Sequence, residues 1–363
     1  LPREDLLKLL SALEADSNNQ ASSNSDHACN SKSSYSLGIG LDSCVVPLRH
    51  KGLCLIQTTD FFYPLVDNPF VMGYIAAANT LSDLYAMGVH ECDNMLMLLA
   101  IPTGLKVEYR QTVVHQLIKG FNACCSDAGT QVRGGQTVFN PWLTIGGVAS
   151  TVCNADEYIQ PNGARPGDVL VLTKPLGTQV AVNAYESIQD PSNKISKELM
   201  AMFSGDVEPV RKCYFRAVDC MTRLNRTGAR LMHKYGAHAC TDVTGFGILG
   251  HADNLAKAQA EAVTFVIHKL PMIRNTVEMA KVFGNIFGLM QGRSAETSGG
   301  LLIVLPREQA VSFCRDIESN EGYPAWIIGV VEKADSDKTR GAKIVDEPRV
   351  VQVPHTDQPD DLW

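Results

Sequence analysis

Four aspartates recur in one kind of place along the chain, beside a glycine turn or near the end of a strand-like or helical run. They are Asp42, Asp60, Asp83 and Asp242. A buried carboxylate is costly without a partner, and four that converge would repel an anion. Their natural ligand is a hard cation, so we predict Mg²⁺ bridged to phosphates. Taken singly, each aspartate also fits a helix cap or an Asx turn, and the prediction rests on their joint arrangement.

Two glycine-rich stretches could supply the phosphate-binding half of such a site, because backbone N–H groups in glycine turns bind anions. GGQT at 134–137 follows a strand-like run, and ETSGG at 296–300 precedes one. Neither matches G-x-x-x-x-G-K-[ST], and the sequence has no protein-kinase H-R-D or D-F-G set. A nucleotide must therefore be held by a different scaffold. Lys174 could also face a phosphate, although we favour a role in capping local structure.

The stretch GFGILG at 245–250 spells G-x-G-x-x-G, the fingerprint of dinucleotide-binding folds. That fingerprint requires a buried strand before it and an acidic residue about 20 positions after it. The preceding residues, AHACTD at 237–242, are small and polar, and the strand-like run at 263–268 ends without an acid. We therefore predict no dinucleotide site. What remains is Asp242, placed just before a glycine turn into a helix.

Alternating strand-like and helix-like segments position these residues, as their hydrophobic periods indicate. In the N-terminal half we predict helices at 69–87 and 107–128 and strands at 52–59, 94–101, 130–133 and 142–153. Asn68 and Pro69 supply the cap and first turn of the first helix, and Gly88 ends it. In the C-terminal half we predict helices at 206–233 and 246–258 and strands at 169–173, 301–305 and 325–332.

The length of the chain, 363 residues, is enough for two domains that each bury a core. A turn-rich segment at 162–168 marks the boundary, which predicts domains at 37–157 and 158–352. Residues 1–36 include a Ser- and Asn-rich segment and are predicted to be mobile, and residues 353–363 are predicted to form a loosely held tail.

Composition narrows the class of protein. Charged residues make up 20% of the chain and the net charge is −7, so neither nucleic acid nor an anionic membrane is predicted as a partner. No apolar run reaches the roughly 18 residues of a membrane span, and we expect no signal peptide before the fold. The eleven cysteines include no C-x-x-C pair and suit reduced thiols, which predicts a cytoplasmic protein. Neither an H-x-x-x-H metal pair nor a G-x-S-x-G elbow is present.

Six motifs in a fixed order resemble those of selenophosphate synthetase in its eukaryotic-type branch. They are TTDFFYPLVDNPF, ANTLSDLYAMG, GGQT, TKPLGT, TDVTGFGILGH and ETSGGLL. The resemblance covers nearly the whole chain, from Gly38 to about Pro354. Each motif alone would be weak, but the ordered set is highly specific.

The resemblance implies the α+β two-domain fold shared with aminoimidazole ribonucleotide synthetase. It implies a homodimer whose N-terminal domains form a central β-barrel, with ATP bound near the domain and subunit junction. The implied reaction converts ATP, selenide and water into selenophosphate, AMP and phosphate, with Mg²⁺ and typically K⁺, and supplies selenium for selenocysteine synthesis. Proteins of selenocysteine synthesis are therefore candidate partners, and the N-terminal domain becomes the predicted ATP-binding and dimerisation domain.

The resemblance also assigns site residues. By motif, the four aspartates at 42, 60, 83 and 242 look like the Mg²⁺ and Mg-nucleotide ligands. The predicted nucleotide contacts are Gly40, Leu41, Asp42, Thr58, Thr59, Asp60, Asp83, Gly134, Gly135, Gln136 and Thr137.

One departure from the family concerns the nucleophile. The family's reactive Cys or selenocysteine and a nearby Lys lie immediately before the sequence that corresponds to Leu1, so we expect this chain as given to assemble the nucleotide site without completing catalysis. Cys29 is the nearest candidate by position, but it has no activating neighbour beyond His27. A non-catalytic, nucleotide-binding paralogue is therefore an alternative, as is a sister enzyme that uses another phosphate acceptor.

Overall fold

A computed structural model describes residues 42–335 and 339–355 of the chain. The predictions for Gly40, Leu41 and Cys29, for the segment 1–36 and for most of the tail lie outside these described residues. The N-terminal part contains β1 (Cys44–Pro47), β2 (Leu53–Phe62), α1 (Pro69–Ala86), β3 (Asn94–Pro102), α2 (Val107–Asp127), β4 (Val132–Asn140) and β5 (Thr144–Asn154).

These five strands form one sheet in the order β1-β2-β5-β3-β4. The first four strands in that order pair antiparallel, and β3 pairs with β4 in parallel through the crossover helix α2. Both helices pack together, and α1 also packs on β2 and β5. The helix α1 begins as predicted, because the Asn68 side chain accepts hydrogen bonds from the N–H groups of Phe70 and Val71 and Pro69 stands at the first turn.

The C-terminal part builds a second sheet and seven helices among the residues that the structure describes. Its elements are β6 (Val169–Leu172), α3 (Thr178–Ile188), α4 (Lys194–Met202), α5 (Glu208–Thr222), α6 (Arg226–Lys234), β7 (Ala239–Asp242), α7 (Gly247–Ala258), β8 (Val263–Ile273), α8 (Thr276–Val282), β9 (Leu301–Leu305), α9 (Arg307–Glu321), β10 (Trp326–Lys333) and β11 (Gly341–Val353). The strand order is β11-β8-β10-β6-β9-β7, with only the β8–β11 pair parallel in this described part of the sheet.

The helix α1 lies between the two parts of the molecule. Besides the first sheet it contacts β7, α5 and α6 of the C-terminal part. It is therefore buried around most of its circumference, including the polar residues Asn79, Thr80 and Ser82. Small residues such as Ala76 and Ala77 let neighbouring elements approach the helix from several sides.

Most predicted elements of the N-terminal part are confirmed, but β1 was not predicted and the strand predicted at 130–133 is β4 at Val132–Asn140. In the C-terminal part three predictions differ from the structure, and the helices α3, α4, α8 and α9 were not predicted. The predicted helix 206–233 is two helices, because the backbone at Arg223 is extended. The strand predicted at 263–268 continues to Ile273, and β11 was not predicted. The small and polar residues of 237–242 predicted no buried strand, but Ala239–Asp242 forms a strand in which all four residues are buried. Its short polar side chains are accommodated because Thr241 and Asp242 have hydrogen-bonding partners in the neighbouring elements.

The buried strand β7 does not make GFGILG at 245–250 a dinucleotide site. The strand β7 lies at the edge of its sheet and pairs antiparallel with β9. A dinucleotide-binding unit instead places its first strand inside a parallel sheet.

The contact between α1 and α2 depends on two glycines. A Cβ on Gly73 would overlap the backbone carbonyl of Leu117, and a Cβ on Gly120 would overlap the backbone carbonyl of Phe70. Backbone atoms cannot rotate away as a side chain can, so any larger residue forces the two helices apart.

We therefore expect Gly120→Ala to lower the free energy of unfolding by roughly 2–3 kcal/mol, as overpacking a closely packed contact does. Helix propensity alone would act in the opposite direction by about 1 kcal/mol. Chemical denaturation measures the change, and Gly104→Ala, where a Cβ meets nothing within 4 Å, serves as the control. Equal stability of the Gly120→Ala and unmodified proteins would show that the helices are not in this close contact.

Candidate metal centre

Three of the four predicted aspartates converge at the junction of the two parts. Asp42 precedes β1, Asp83 lies in α1 and Asp242 ends β7. One carboxylate oxygen from each of the three lies within 4.8 Å of the other two. We call these three residues the aspartate trio.

The electrostatics of the aspartate trio disfavour its fully ionised state. Asp242 is buried, and Asp42 and Asp83 keep only partial contact with solvent. Desolvation first, and then the charge of Asp242, raise the pKa of both Asp42 and Asp83 well above 3.8. Desolvation also raises the pKa of Asp242 to about 6, against the opposing hydrogen bond of Ser82. Neighbouring carboxylates in one site cannot all ionise without a compensating positive charge.

Asp60 lies next to the aspartate trio but is not one of its members. Its charge contributes to the raised pKa of Asp83, and its partner Asn79 lies one turn of α1 from Asp83. Desolvation raises the pKa of Asp60 to about 6, and the amide of Asn79 donates a hydrogen bond to its carboxylate. Asn79 and Asp83 lie four residues apart on α1, and Asn79 contacts Asp60 while Asp83 accepts from Thr58.

Neutral hydroxyl donors orient the aspartate trio. Thr241 Oγ1 donates to Asp42 Oδ1 at 2.9 Å, and the hydroxyl of Thr58 donates to Asp83 Oδ2. Ser82 makes a side-chain hydrogen bond to Asp242. The other carboxylate oxygen of Asp242, Oδ2, is buried and has no hydrogen-bond partner.

This set of groups fits a hard divalent cation. The three side chains offer only oxygen atoms, which Mg²⁺ prefers, and the buried Asp242 Oδ2 lacks any other partner. An unpartnered buried carboxylate oxygen is expensive, and a bound cation would remove that cost. Among the described residues this is the one cluster of three or more His, Cys, Asp or Glu side chains close enough to share an ion.

The predicted nucleotide contacts that are neither aspartates nor outside the described residues lie in the strands β2 and β4. Thr58 is buried on the side of β2 that faces the aspartate trio, whereas Thr59 is exposed on the opposite side. The GGQT residues do not form a turn, as the sequence suggested, but lie inside β4, where all four are exposed. Gly135 has φ +146° and no room for a Cβ beside the backbone of Met97.

Within one chain the GGQT residues are far from the aspartate trio. The cross-strand register places Asp60, Gly147, Met97 and Gly135 in one row across β2, β5, β3 and β4. Three strand spacings separate Asp60 from Gly135, which is about 14 Å at the usual spacing. Within one chain, two strands, β5 and β3, therefore lie between Asp60 and Gly135.

The ETSGG stretch does precede a strand, β9, but its backbone is already engaged. The Ser298 N–H donates to Asn79 Oδ1 at 2.6 Å, so that group is not free to bind a phosphate. Lys174 also does not face a phosphate, because it is buried and its Nζ donates to the carbonyls of Arg223 and Ser298 at 2.5 and 2.8 Å.

Several polar residues of the site carry no clear signal in the sequence. Ser82, Asn225 and Thr241 are ordinary helix, turn and strand residues by type, and their roles depend on partners far away along the chain. Asn225 Nδ2, for example, donates to Ser82 Oγ at 2.9 Å across 143 positions. Asn79 is detectable through its spacing from Asp83, but its partners are not.

Among the described residues, no helix is both long and apolar enough to cross a membrane.

The two parts of the chain match two family profiles. The AIR synthase related protein, N-terminal domain, matches residues 40–152, and the AIR synthase related protein, C-terminal domain, matches residues 165–341. Solved structures agree on the fold. AaThiL complexed with AMPPCP and TMP superposes with a TM-score of 0.61 at 18% identity, covering 85% of this chain and 90% of that chain. The hydrogenase maturation protein HypE in complex with ATP gives 0.59 at 16% identity, covering 84% and 86%.

Curated relatives are much closer in sequence. Selenide, water dikinase 3 of Danio rerio is 51% identical, over 98% of this chain and 83% of the relative. Selenide, water dikinase 2 of Homo sapiens is 56% identical, over 87% of this chain and 69% of the relative. The α+β, two-domain fold shared with aminoimidazole ribonucleotide synthetase is thereby confirmed, and the chain belongs to the selenide, water dikinase (selenophosphate synthetase) family of phosphotransferases.

Proposed function

We propose that the protein makes selenophosphate, AMP and phosphate from ATP, selenide and water, and that the aspartate trio holds Mg²⁺ for this reaction. The observation that carries the proposal is the convergence of Asp42, Asp83 and Asp242 with an unpartnered oxygen on Asp242. The names of the relatives support the reaction, and the solved complex of HypE with ATP supports the nucleotide. Potassium and selenocysteine-synthesis partners complete the proposal on the resemblance alone, and a cytoplasmic location rests on the pattern of unpaired cysteines.

In this proposal, Asp42, Asp83 and Asp242 would hold Mg²⁺, which would supply positive charge for the phosphate oxygens. The residues of the chain do the rest. Thr241 and Thr58 fix the carboxylates of Asp42 and Asp83 through their hydroxyl groups, so those side chains cannot rotate away from the centre. Ser82 orients Asp242 in the same way.

Asp60 adds a fourth carboxylate beside the aspartate trio. The amide of Asn79 holds it through a hydrogen bond. From this position it can bind a second cation or a water molecule of the first cation, since Mg²⁺ usually keeps several of its waters.

No nucleophile is assigned among the described residues. Their ten cysteines are free thiols, and only Cys44, Cys54 and Cys314 are more than marginally exposed. Burial raises the pKa of Cys124 and Cys240 well above 9, which leaves those thiols protonated and unreactive. The expectation of a Cys or selenocysteine and a Lys before Leu1, and of an inactive chain without them, stays a prediction.

Selenophosphate synthesis is tested by anaerobic ³¹P NMR of the full-length protein with ATP, Mg²⁺ and selenide. We expect a selenophosphate signal together with AMP. In Asp242→Asn we expect product formation to fall by at least about a hundredfold, because the trio loses its most buried ligand. Asp346→Asn, at an exposed position in β11, is the control and should match the unmodified protein.

Three results would count against the proposal. Undiminished turnover in Asp242→Asn would mean that the aspartate trio is not the working metal centre. ATP that binds to the unmodified full-length protein but remains intact would favour the non-catalytic, nucleotide-binding paralogue. Phosphate transfer that continues without selenide would favour a sister enzyme with another acceptor.

We also propose that the nucleotide site is completed by a second copy of the chain. The GGQT residues are exposed on an edge strand about 14 Å from Asp60 across three strand spacings. An exposed edge strand is a ready surface for association with another chain. In a symmetric homodimer the strand β4 of one copy can serve the aspartate trio of its partner.

This arrangement is tested by mixing two inactive variants, Asp242→Asn and Gln136→Ala, under conditions that exchange subunits. If the site is shared, mixed dimers contain one intact site, and an equal mixture should recover about a quarter of the unmodified activity. Each variant mixed with itself is the control. No recovery, in a mixture shown by differential tagging to contain mixed dimers, would place Gln136 and Asp242 in the same chain's site.

A further inference from the structure

The backbone at Ser298 is in a conformation that serine rarely adopts. Its φ is +44°, in the left-handed region, and the residue is buried. Such a conformation is strained outside glycine and persists only where the surroundings fix it. The two glycines that follow cannot be replaced, because a Cβ on Gly299 or Gly300 would overlap the backbone of Val243 or Lys174. We call residues 296–300 the Ser298 loop.

The Ser298 loop is attached at two points to the segment that contains Lys174. At its start, Glu296 accepts hydrogen bonds from Gly177 N at 2.7 Å and Thr178 N at 3.0 Å, and also from the Thr178 hydroxyl. At its middle residue, Lys174 Nζ donates to the Ser298 carbonyl at 2.8 Å. The loop is thus fixed by a buried carboxylate and a buried ammonium.

The fixed loop supports two of the site aspartates. The Ser298 N–H donates to Asn79 Oδ1 at 2.6 Å, and the amide of Asn79 donates to Asp60. The Gly299 carbonyl accepts from Asn225 Nδ2 at 2.7 Å, and the same nitrogen donates to Ser82 Oγ at 2.9 Å. Ser82 in turn makes a hydrogen bond to Asp242.

Burial of the Lys174 side chain costs free energy, because a charged group loses its contact with water. Its side chain is 1% exposed, and its ammonium donates to two neutral carbonyls, those of Arg223 and Ser298. Desolvation first, and then the neighbouring guanidinium of Arg223, lower the pKa of Lys174 to about 7. A buried ammonium of this kind contributes less to stability than a well-packed apolar residue of similar size would. Stability alone therefore explains the presence of this lysine poorly.

We propose that Lys174 is a positioning residue for the metal centre, which fixes the Ser298 carbonyl and so directs the Ser298 N–H to Asn79 and Asn79 to Asp60. The inference rests on the proposed function, because it gives the hydrogen-bond chain a metal centre to serve. It adds a residue of the C-terminal part that lies outside the aspartate trio. The chain of contacts is Lys174 Nζ to Ser298 O, Ser298 N to Asn79 Oδ1, and Asn79 Nδ2 to Asp60 Oδ2.

The test is a double-mutant cycle on the full-length protein with Lys174→Met, Asn79→Ala and the double variant. Methionine keeps the length of the side chain and removes the donors and the charge. Calorimetric Mg²⁺ binding in the presence of a non-hydrolysable ATP analogue is measured for each protein, together with the free energy of unfolding. We expect each single variant to weaken Mg²⁺ binding about tenfold, as loss of a group that orients a ligand does. Lys197→Met, on the exposed side of α4, is the control and should bind normally.

The double variant separates positioning from general support. If Lys174 acts through Asn79, the double variant binds Mg²⁺ about as tightly as the single variant with the lower affinity. The reason is that both substitutions interrupt the same series of hydrogen bonds. A purely structural role would lower the free energy of unfolding of Lys174→Met and leave its Mg²⁺ affinity unchanged, which would overturn the inference. Multiplying effects in the double variant would also overturn it.

Two further measurements keep the test decisive. If Lys174→Met does not fold, Lys174→Gln takes its place, because glutamine retains an N–H donor for the Ser298 carbonyl. A loss of Mg²⁺ affinity smaller than tenfold supports the inference. Unchanged Mg²⁺ affinity refutes it. Failure of the proposed function is separately visible, since it would appear as absent ATP turnover or absent Mg²⁺ binding in the unmodified protein.

Discussion

The convergence of three carboxylates on one point is the constraint around which this molecule is built. Asp42, Asp83 and Asp242 come from the start of the first sheet, the central helix and the edge of the second sheet, and their oxygens meet within 4.8 Å. Desolvation raises the pKa of all three, and mutual repulsion adds to the effect on Asp42 and Asp83. Such a cluster lowers the stability of the fold at that place unless a positive charge compensates it.

The helix α1 transmits this constraint to the rest of the fold. It carries Asn79, Ser82 and Asp83, and it can bring them to the junction because it contacts the first sheet on one side and β7, α5 and α6 on the other. The close approach of α2, allowed by Gly73 and Gly120, fixes the position of that helix. Packing far from the aspartate trio therefore determines where its carboxylates lie.

Elements of the fold and the site were predictable from the sequence where the residues that determine them lie close together along the chain. Helix α1 was predictable because Asn68, Pro69 and Gly88 act within a turn of the chain. The shared setting of the four aspartates and the family motifs predicted a common site, and the structure brings Asp42, Asp83 and Asp242 together with Asp60 outside the trio. The buried strand β7 was missed because its polar residues are satisfied by distant partners, such as Asp42 for Thr241 across 199 positions. The contacts of Lys174 were missed for the same reason.

The local conformation of the two glycine-rich motifs was not predictable from their residues. The GGQT residues form an exposed edge strand rather than a phosphate-binding turn. The ETSGG motif uses its backbone to hold Asn79 rather than to bind an anion. Both motifs contain a glycine that allows close backbone approach, Gly135 to Met97 and Gly299 to Val243, but one pair of glycines lies in an exposed edge strand and the other in a buried loop.

The central claim is that Asp42, Asp83 and Asp242 together hold a divalent cation. The most direct measurement is an anomalous difference map from a crystal of the protein grown with Mn²⁺ in place of Mg²⁺. We expect a peak within about 2.5 Å of a carboxylate oxygen of each of the three residues. A peak elsewhere in the molecule, or an empty trio at a Mn²⁺ concentration that supports ATP turnover, would contradict the claim.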